Sequence, residues 1–263
     1  MKKFGLTLGS GGARGIAHIG FLKALEENGI KPDWICGCSM GSIVGACYAS
    51  GMSPDEMIAA ARKLKLYQIL ALDPFPYNNK GFAQGAKMEK VLAKFLKGAT
   101  FENLKIPFTC VSYDLLEGKT IWHKDGNLLR AVRASSSVPI VFEPVKEDGR
   151  LLVDGGINER VPIKYTREMG ADIVIAVDVL GEVRPTKRIK NLIELVTRAT
   201  DILEFTVAKY KKDEEKADLL LMVDIGDASQ YQLKTLNLAY EAGYKLGIDN
   251  IDKIKELLKD LKW

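Results

Sequence analysis

Apolar positions along this chain recur with two different periods, and the changes of period mark its elements. Lys3 to Leu8 reads as a short apolar strand. Glycines interrupt it, and Ile16, Ile19, Leu22 and Leu25 then follow at helical spacing up to Gly29. Asp33 to Gly37 is a second strand, and Ile43 to Ala49 a helix. Ser53-Pro54-Asp55-Glu56 combines a cap, a proline in the first turn and two acids at the positive dipole end, which predicts a helix start. Tyr67 to Gly85 breaks the pattern with Asp73-Pro74, Phe75-Pro76 and Tyr77-Asn78-Asn79. Loops of that length are usually functional or mobile, so a lid or acyl-chain contact and a packed surface loop both stand open.

A helix to about Leu96 follows. Pro107–Tyr113 and Lys119–Trp122 alternate like paired strands, and Leu128 to Ala134 is helical. Val141–Val145 and Arg150–Val153 read as a hairpin turning at Asp148-Gly149. Ile163 to Met169 is a helix, and Ile173 to Val179 is a continuous apolar run typical of a strand covered on both faces. A long charged helix from Ile189 to about Lys216, a strand at Leu219–Val223 and two helices complete the chain. Alternating strands and helices predict an α/β sandwich with a largely parallel central sheet. With no repeat, low-complexity segment or clear linker, residues 1–263 are expected to form a single domain.

The composition narrows the function classes. Of 263 residues, 47% are hydrophobic and 27% charged, enough for one large core or two small ones. The net charge of +4 is mild and the basic residues are scattered, which argues against nucleic acid as a partner. The apolar start of the chain breaks at Gly9-Ser10-Gly11-Gly12, too early for a secretory segment of about 7–15 apolar residues. No run approaches the roughly 18 apolar residues of a membrane span, so a cytoplasmic location is expected. Cys36, Cys38, Cys47 and Cys110 lie in apolar segments without zinc or redox spacing and read as reduced, buried thiols.

The chemistry centres on Gly37-Cys38-Ser39-Met40-Gly41, a strand-to-helix turn of the Gly-x-Ser-x-Gly form. Gly37 and Gly41 leave room there, and Ser39 is the candidate nucleophile. A triad in the order Ser, acid, late His cannot be completed, because the only histidines are His18 and His123. The remaining candidate base is Asp154 in Asp154-Gly155-Gly156, although a turn aspartate bonding its own backbone has the same local look. Between the first strand and helix lies Gly9-Ser10-Gly11-Gly12-Ala13-Arg14-Gly15. A dinucleotide fingerprint fails there, since Arg14 occupies the third glycine position and no acid ends the next strand. An oxyanion loop fits better, with the Gly11 and Gly12 N–H groups as donors.

These motifs, in this order, resemble the patatin-like phospholipases. The matching residues are Gly11, Gly12, Arg14 and Gly15, then Gly37, Ser39 and Gly41, then Asp154, Gly155 and Gly156. Gly15-Ile16-Ala17-His18-Ile19-Gly20, Ala134-Ser135-Ser136-Ser137-Val138-Pro139 and Pro162 are similar to the family as well, and the likeness covers roughly residues 4 to 180. Ser10 and Arg160 depart from it, standing where another glycine and an asparagine are frequent.

The resemblance implies a three-layer α/β/α fold and a serine–aspartate dyad, Ser39 and Asp154, that forms and hydrolyses an acyl-enzyme. It implies a lipid acyl hydrolase acting on phospholipid or lysophospholipid esters, with no metal or organic cofactor. An acyltransferase or thioesterase on the same dyad, and a catalytically silent membrane-associated regulator, are the alternatives. Arg14 has two open roles, contacting a substrate phosphate or bracing its loop. His18 is expected to be structural, His123 to lie at the surface, and Cys38 to serve as a small elbow side chain. The C-terminal stripe of Ile248, Ile251, Ile254, Leu257, Leu258 and Leu261 reads as core packing, with transient membrane-surface contact as the other reading.

Overall fold

The computed structural model describes residues 2–63, 85–183, 185–186, 188–189, 192–211, 216–226 and 236–259. Of the expected irregular segment only Gly85 falls within them; the rest of it, like Leu261, lies outside the described residues.

One eight-stranded sheet organises these residues, in the order β5-β6-β3-β2-β1-β7-β8 with β4 added against β3. The strands are β1 (Phe4–Leu8), β2 (Trp34–Cys38), β3 (Phe108–Asp114), β4 (Lys119–His123), β5 (Val145–Glu147), β6 (Arg150–Asp154), β7 (Ile173–Asp178) and β8 (Leu219–Met222). The pairs β1–β2, β1–β7, β2–β3 and β7–β8 are parallel, and β3–β4, β3–β6 and β5–β6 antiparallel.

The helices are α1 (Ala17–Glu27), α2 (Met40–Ala49), α3 (Pro54–Lys63), α4 (Gly85–Leu96), α5 (Leu128–Ser135), α6 (Ile163–Glu168), α7 (Leu192–Lys211), α8 (Leu236–Asp249) and α9 (Ile251–Leu258). The two faces of β7 show the layering. Ile175 and Val177 join the large core shared with α1 to α5, α8 and α9. Val174 and Ala176 face the other way, into a small core with Ile163 of α6 and Ala171. This period of two, with apolar residues on both faces, is why the sequence shows an unbroken apolar run.

Local signals worked where the chemistry is local. Ser53 and Glu56 form the expected reciprocal cap of α3, with Ser53 N donating to Glu56 at 2.8 Å and Glu56 N to Ser53 Oγ at 3.3 Å. Asp148 and Gly149 both take positive φ, 48° and 77°, as a tight hairpin turn requires. The hairpin is shorter than its apolar run, however. Ile140 takes φ 71°, Phe142 makes only an isolated bridge, and the pairing with β6 begins at Val145.

The pairing of β3 positions the site. β4 occupies one edge of β3, from Cys110 to Asp114. On the other edge β2 pairs with Phe108–Val111, and β6 takes over at Ser112–Asp114. Cys38 therefore faces Val111 while Asp154 faces the next residue, Ser112. Two strands far apart in sequence end against each other on one edge.

Candidate active site

Ser39 stands at the end of β2, and the chain reverses through it into α2. Its backbone takes φ 54° and ψ −122°, a conformation of positive φ that a side chain strains to adopt. Local bonds hold the turn. Ser39 O accepts from Ser42 N at 2.9 Å, Ile43 N at 3.2 Å and Ser42 Oγ at 2.6 Å. Ser39 N donates to Ser135 Oγ at 3.1 Å. α2 thus starts at Met40, three residues before the apolar period shows it.

The flanking glycines are needed for close approach. A Cβ at Gly37 would lie 2.5 Å from Gly41 O and 2.6 Å from Ser42 Cα. A Cβ at Gly41 would drive into the Leu8 and Gly9 carbonyls. The turn therefore lies directly on the end of β1 and the glycine loop that follows it.

Ser39 Oγ donates to Asp154 Oδ2 at 2.5 Å, and the two residues are only 5% and 3% exposed. Asp154 Oδ1 accepts from Gly156 N at 2.8 Å and from the Cys38 thiol at 3.8 Å. Asp154 N donates to Ser137 O at 2.9 Å. Burial pushes the Asp154 carboxyl up to about 6, against the opposing pull of the Ser39, Gly156 and Cys38 hydrogen bonds. A carboxylate so raised is still ionised at neutral pH and is a better base than an exposed one. All four cysteines are buried and free, and burial holds the Cys38 thiol well above its usual range, which leaves it protonated.

Of the glycine loop, Gly12 opens a short 3-10 turn (Gly12–Ile16) at φ 51° and lines the same cavity as Ser39. Gly11 precedes it against Val179. Arg14 Nη1 donates to Leu180 O at 3.2 Å, which ties the loop to the chain leaving β7, as the bracing role requires. His18 is fully buried and donates Nε2–H to Gly9 O at 2.8 Å. Burial lowers it to about 4, so it is neutral and structural. His123 departs from the surface position expected for it. Pairing of β4 with β3 places the ring half-buried, with Nε2 2.7 Å from Ser112 Oγ.

Ser10 and Arg160, the two departures from the family pattern, belong to one brace. Ser10 N donates to Arg160 O at 2.8 Å. The buried Arg160 guanidinium donates through Nη2 to both Asp178 oxygens, at 2.7 and 2.8 Å, and to Gly181 O at 2.7 Å. The stretch after Asp154 is thereby fixed to the end of β7.

A cavity of about 200 Å³ opens beside Ser39. It is lined almost wholly by apolar side chains, including Met40, Met52, Met57 and Met88. Flexible thioethers conform to alkyl chains of varied shape.

Sequence reasoning missed Ser135 and Ser137 as the residues that hold Ser39 and Asp154, although their serine run was visible. It also missed Glu204 of α7. Glu204 Oε2 accepts from Ser10 Oγ at 3.3 Å. Its Oε1 would lie 2.9 Å from a Cβ at Gly156, a point itself 3.1 Å from Asp154 Oδ1. No local signal marks such a residue in a charged helix. Among the described residues, no helix is long and apolar enough to cross a membrane.

A family model described as patatin-like phospholipase matches residues 6–167. An uncharacterised NTE family protein of Mycobacterium tuberculosis is 41% identical over 176 residues, covering 67% of this chain and 49% of that protein. Human patatin-like phospholipase domain-containing protein 6 is 37% identical over 179 residues, covering 66% of this chain and 13% of its own length. Lysophospholipase nte1 of Aspergillus fumigatus is 35% identical over 183 residues, 68% of this chain and 12% of the relative. The chain thus spans about half the length of its mycobacterial relative and about an eighth of the other two. In fold it is similar to VipD from Legionella pneumophila, with a TM-score of 0.62 at 13% identity, over 96% of this chain and 67% of VipD.

Proposed function

Since this chain belongs to the patatin-like phospholipase family, we propose that it hydrolyses carboxylic esters of lipids through an acyl-enzyme on Ser39, with Asp154 as the base. The observation that carries this reading is the 2.5 Å hydrogen bond from Ser39 Oγ, which lines an apolar cavity, to the buried Asp154 carboxylate. The hydroxyl already points its proton at the group that would receive it.

In the first step Ser39 Oγ attacks the ester carbonyl carbon, and its proton passes to Asp154. The carbonyl oxygen gains negative charge, which the Gly11 and Gly12 N–H groups stabilise by about 3 kcal/mol per donor. The N-terminal end of α2 adds its positive dipole end on the same side. The tetrahedral species then breaks the bond to the alcohol, which takes the proton from Asp154. Water enters, gives a proton to Asp154 and attacks the acyl carbon. Loss of Ser39 Oγ releases the fatty acid, and the serine regains its proton.

The methionine-lined cavity supports a single alkyl chain as the acyl group, and the description of a 35%-identical relative as a lysophospholipase supports the same substrate class. The test is hydrolysis of p-nitrophenyl esters of increasing chain length and of lysophosphatidylcholine, with calcium chelated, for the native protein, Ser39→Ala and Asp154→Asn. The expected outcome is activity in the native protein and background in both variants. An Asp154→Asn variant that keeps most of its activity would show that the base is another group. A native protein inert toward every ester would overturn the hydrolase reading.

A further inference from the structure

We propose that Glu204 is a positioning residue that sets the strength of Asp154 as a base, acting from α7 across Gly156. The inference rests on the Ser39–Asp154 reading given above.

The geometry is specific. α7 packs over the turn Gly155–Ile157 that follows Asp154. From it the Glu204 carboxyl reaches inward to two points of the site at once. One oxygen takes the Ser10 hydroxyl in the glycine loop at 3.3 Å. The other stands over Gly156, where a Cβ would meet both Glu204 Oε1 at 2.9 Å and Asp154 Oδ1 at 3.1 Å. Only the bare Cα of Gly156 stands between them, so these two carboxyl oxygens lie within about 6 Å of each other.

The groups that act on the Glu204 carboxyl come from several elements. Asp154 at the end of β6 and Asp201 on α7 oppose its ionisation, and Arg160 favours it. Cys38 on β2 feels its charge, and the Ser10 hydroxyl bonds it. Arg160 is itself held by Asp178 of β7. Burial first, and then the neighbouring carboxylates, push Glu204 up to about 8. At neutral pH the two carboxyls therefore share one proton, which resides on Glu204 and leaves Asp154 ionised.

Coupling between two titrating groups is reciprocal. Once Glu204 ionises, its charge makes protonation of Asp154 more favourable. Proton transfer from Ser39 relieves that repulsion, so attack speeds up. If the gain is one unit of base strength and about half of it reaches the transition state, the rate rises by about threefold.

The experiment measures the rate at which a fluorophosphonate labels Ser39, between about pH 5 and pH 9.5, in the whole protein. No knowledge of the natural ester is needed. The native profile is expected to rise through about pH 6 and again, by about threefold, through about pH 8. Glu204→Gln should keep the first rise and lose the second, and Glu204→Asp should restore it. Ser10→Ala removes a bond that favours the ionised form, so the second rise should move to higher pH; this variant serves even if Glu204→Gln folds poorly. A purely structural role for Glu204 would scale the whole profile and leave its shape intact, and that result overturns the inference alone. Absence of Ser39 labelling at any pH would instead overturn the nucleophile reading, and this inference with it.

Discussion

Ser39 and Asp154 lie 115 residues apart in the chain and 2.5 Å apart through their side chains. They meet because β2 and β6 share one edge of β3, β2 ending opposite Val111 and β6 opposite Ser112. Asp154 ends one backbone ladder and Ser39 directly follows another, which gives the pair the rigidity that preorganised chemistry needs.

Replacing Asp154 with Asn keeps the shape and removes the proposed base. Loss of kcat/KM by about 10³-fold or more is expected, since comparable loss of a catalytic carboxylate in a serine hydrolase costs about 10⁴-fold. Steady-state kinetics with a short p-nitrophenyl ester checks it. A fall of less than about tenfold would mean that Asp154 is not the proton acceptor.

The same carboxyl makes stability depend on pH. Unfolded, it loses its proton near 3.8; folded, near 6, because it is buried. Between those values the folded state holds the additional proton, so this group's contribution to stability is present below about pH 4 and is lost as pH rises through about 6. Asp154→Asn should therefore melt higher than the native protein at pH 7, by about 5 °C, with the gap closing toward pH 4. Thermal melts at the two pH values provide the comparison, and a native protein equal to the variant at pH 7 contradicts the assignment.

Gly41→Ala should be far more damaging than its size suggests. The added methyl meets backbone carbonyls of Leu8 and Gly9, which have no flexible end to give way. A cost of about 3 kcal/mol, together with loss of activity from a displaced Ser39, is expected. Denaturant unfolding would reveal the cost, and a variant as stable as the native protein would show that the turn can move.

Arg160 sits in a buried ion pair, and removing one partner strands the other. Arg160→Met is expected to cost about 3 kcal/mol, because buried Asp178 loses its counter-charge and keeps only the Leu180 and Gly181 N–H bonds. The double variant Arg160→Met, Asp178→Leu should recover much of that loss. A double variant no better than the single would place the cost in the backbone bonds of the pair, Arg160 to Gly181 O and Leu180 N to Asp178, instead.

Ala61 lines the cavity beside Ser39. Ala61→Phe should shorten the chain that fits, lowering kcat/KM for long-chain esters about tenfold relative to short ones. Equal effects on all chain lengths would mean that the acyl group binds elsewhere.

Much of this was legible in the chain because it rests on local chemistry. The elbow, the glycine loop and the Asp-Gly-Gly turn each need particular small residues at fixed spacing. The buried strands announce themselves as apolar runs, and the cap of α3 is written in Ser53 and Glu56. Within these 263 residues no histidine follows His123, which turned the reading toward Asp154 without a structure. What lies between distant segments was not legible. Nothing in the sequence marks the change of partner along β3 that brings Cys38 and Asp154 to adjacent rungs, since register is a property of paired strands. Nor does it mark Ser135 and Ser137 as holders of the pair, Arg160 as the partner of Asp178, or the half-buried place of His123. Glu204 is the clearest case. On its own helix it is one acid among several charges. Only the packing of α7 against a glycine with no side chain sets it beside Asp154, where burial and a neighbouring carboxylate change what it is.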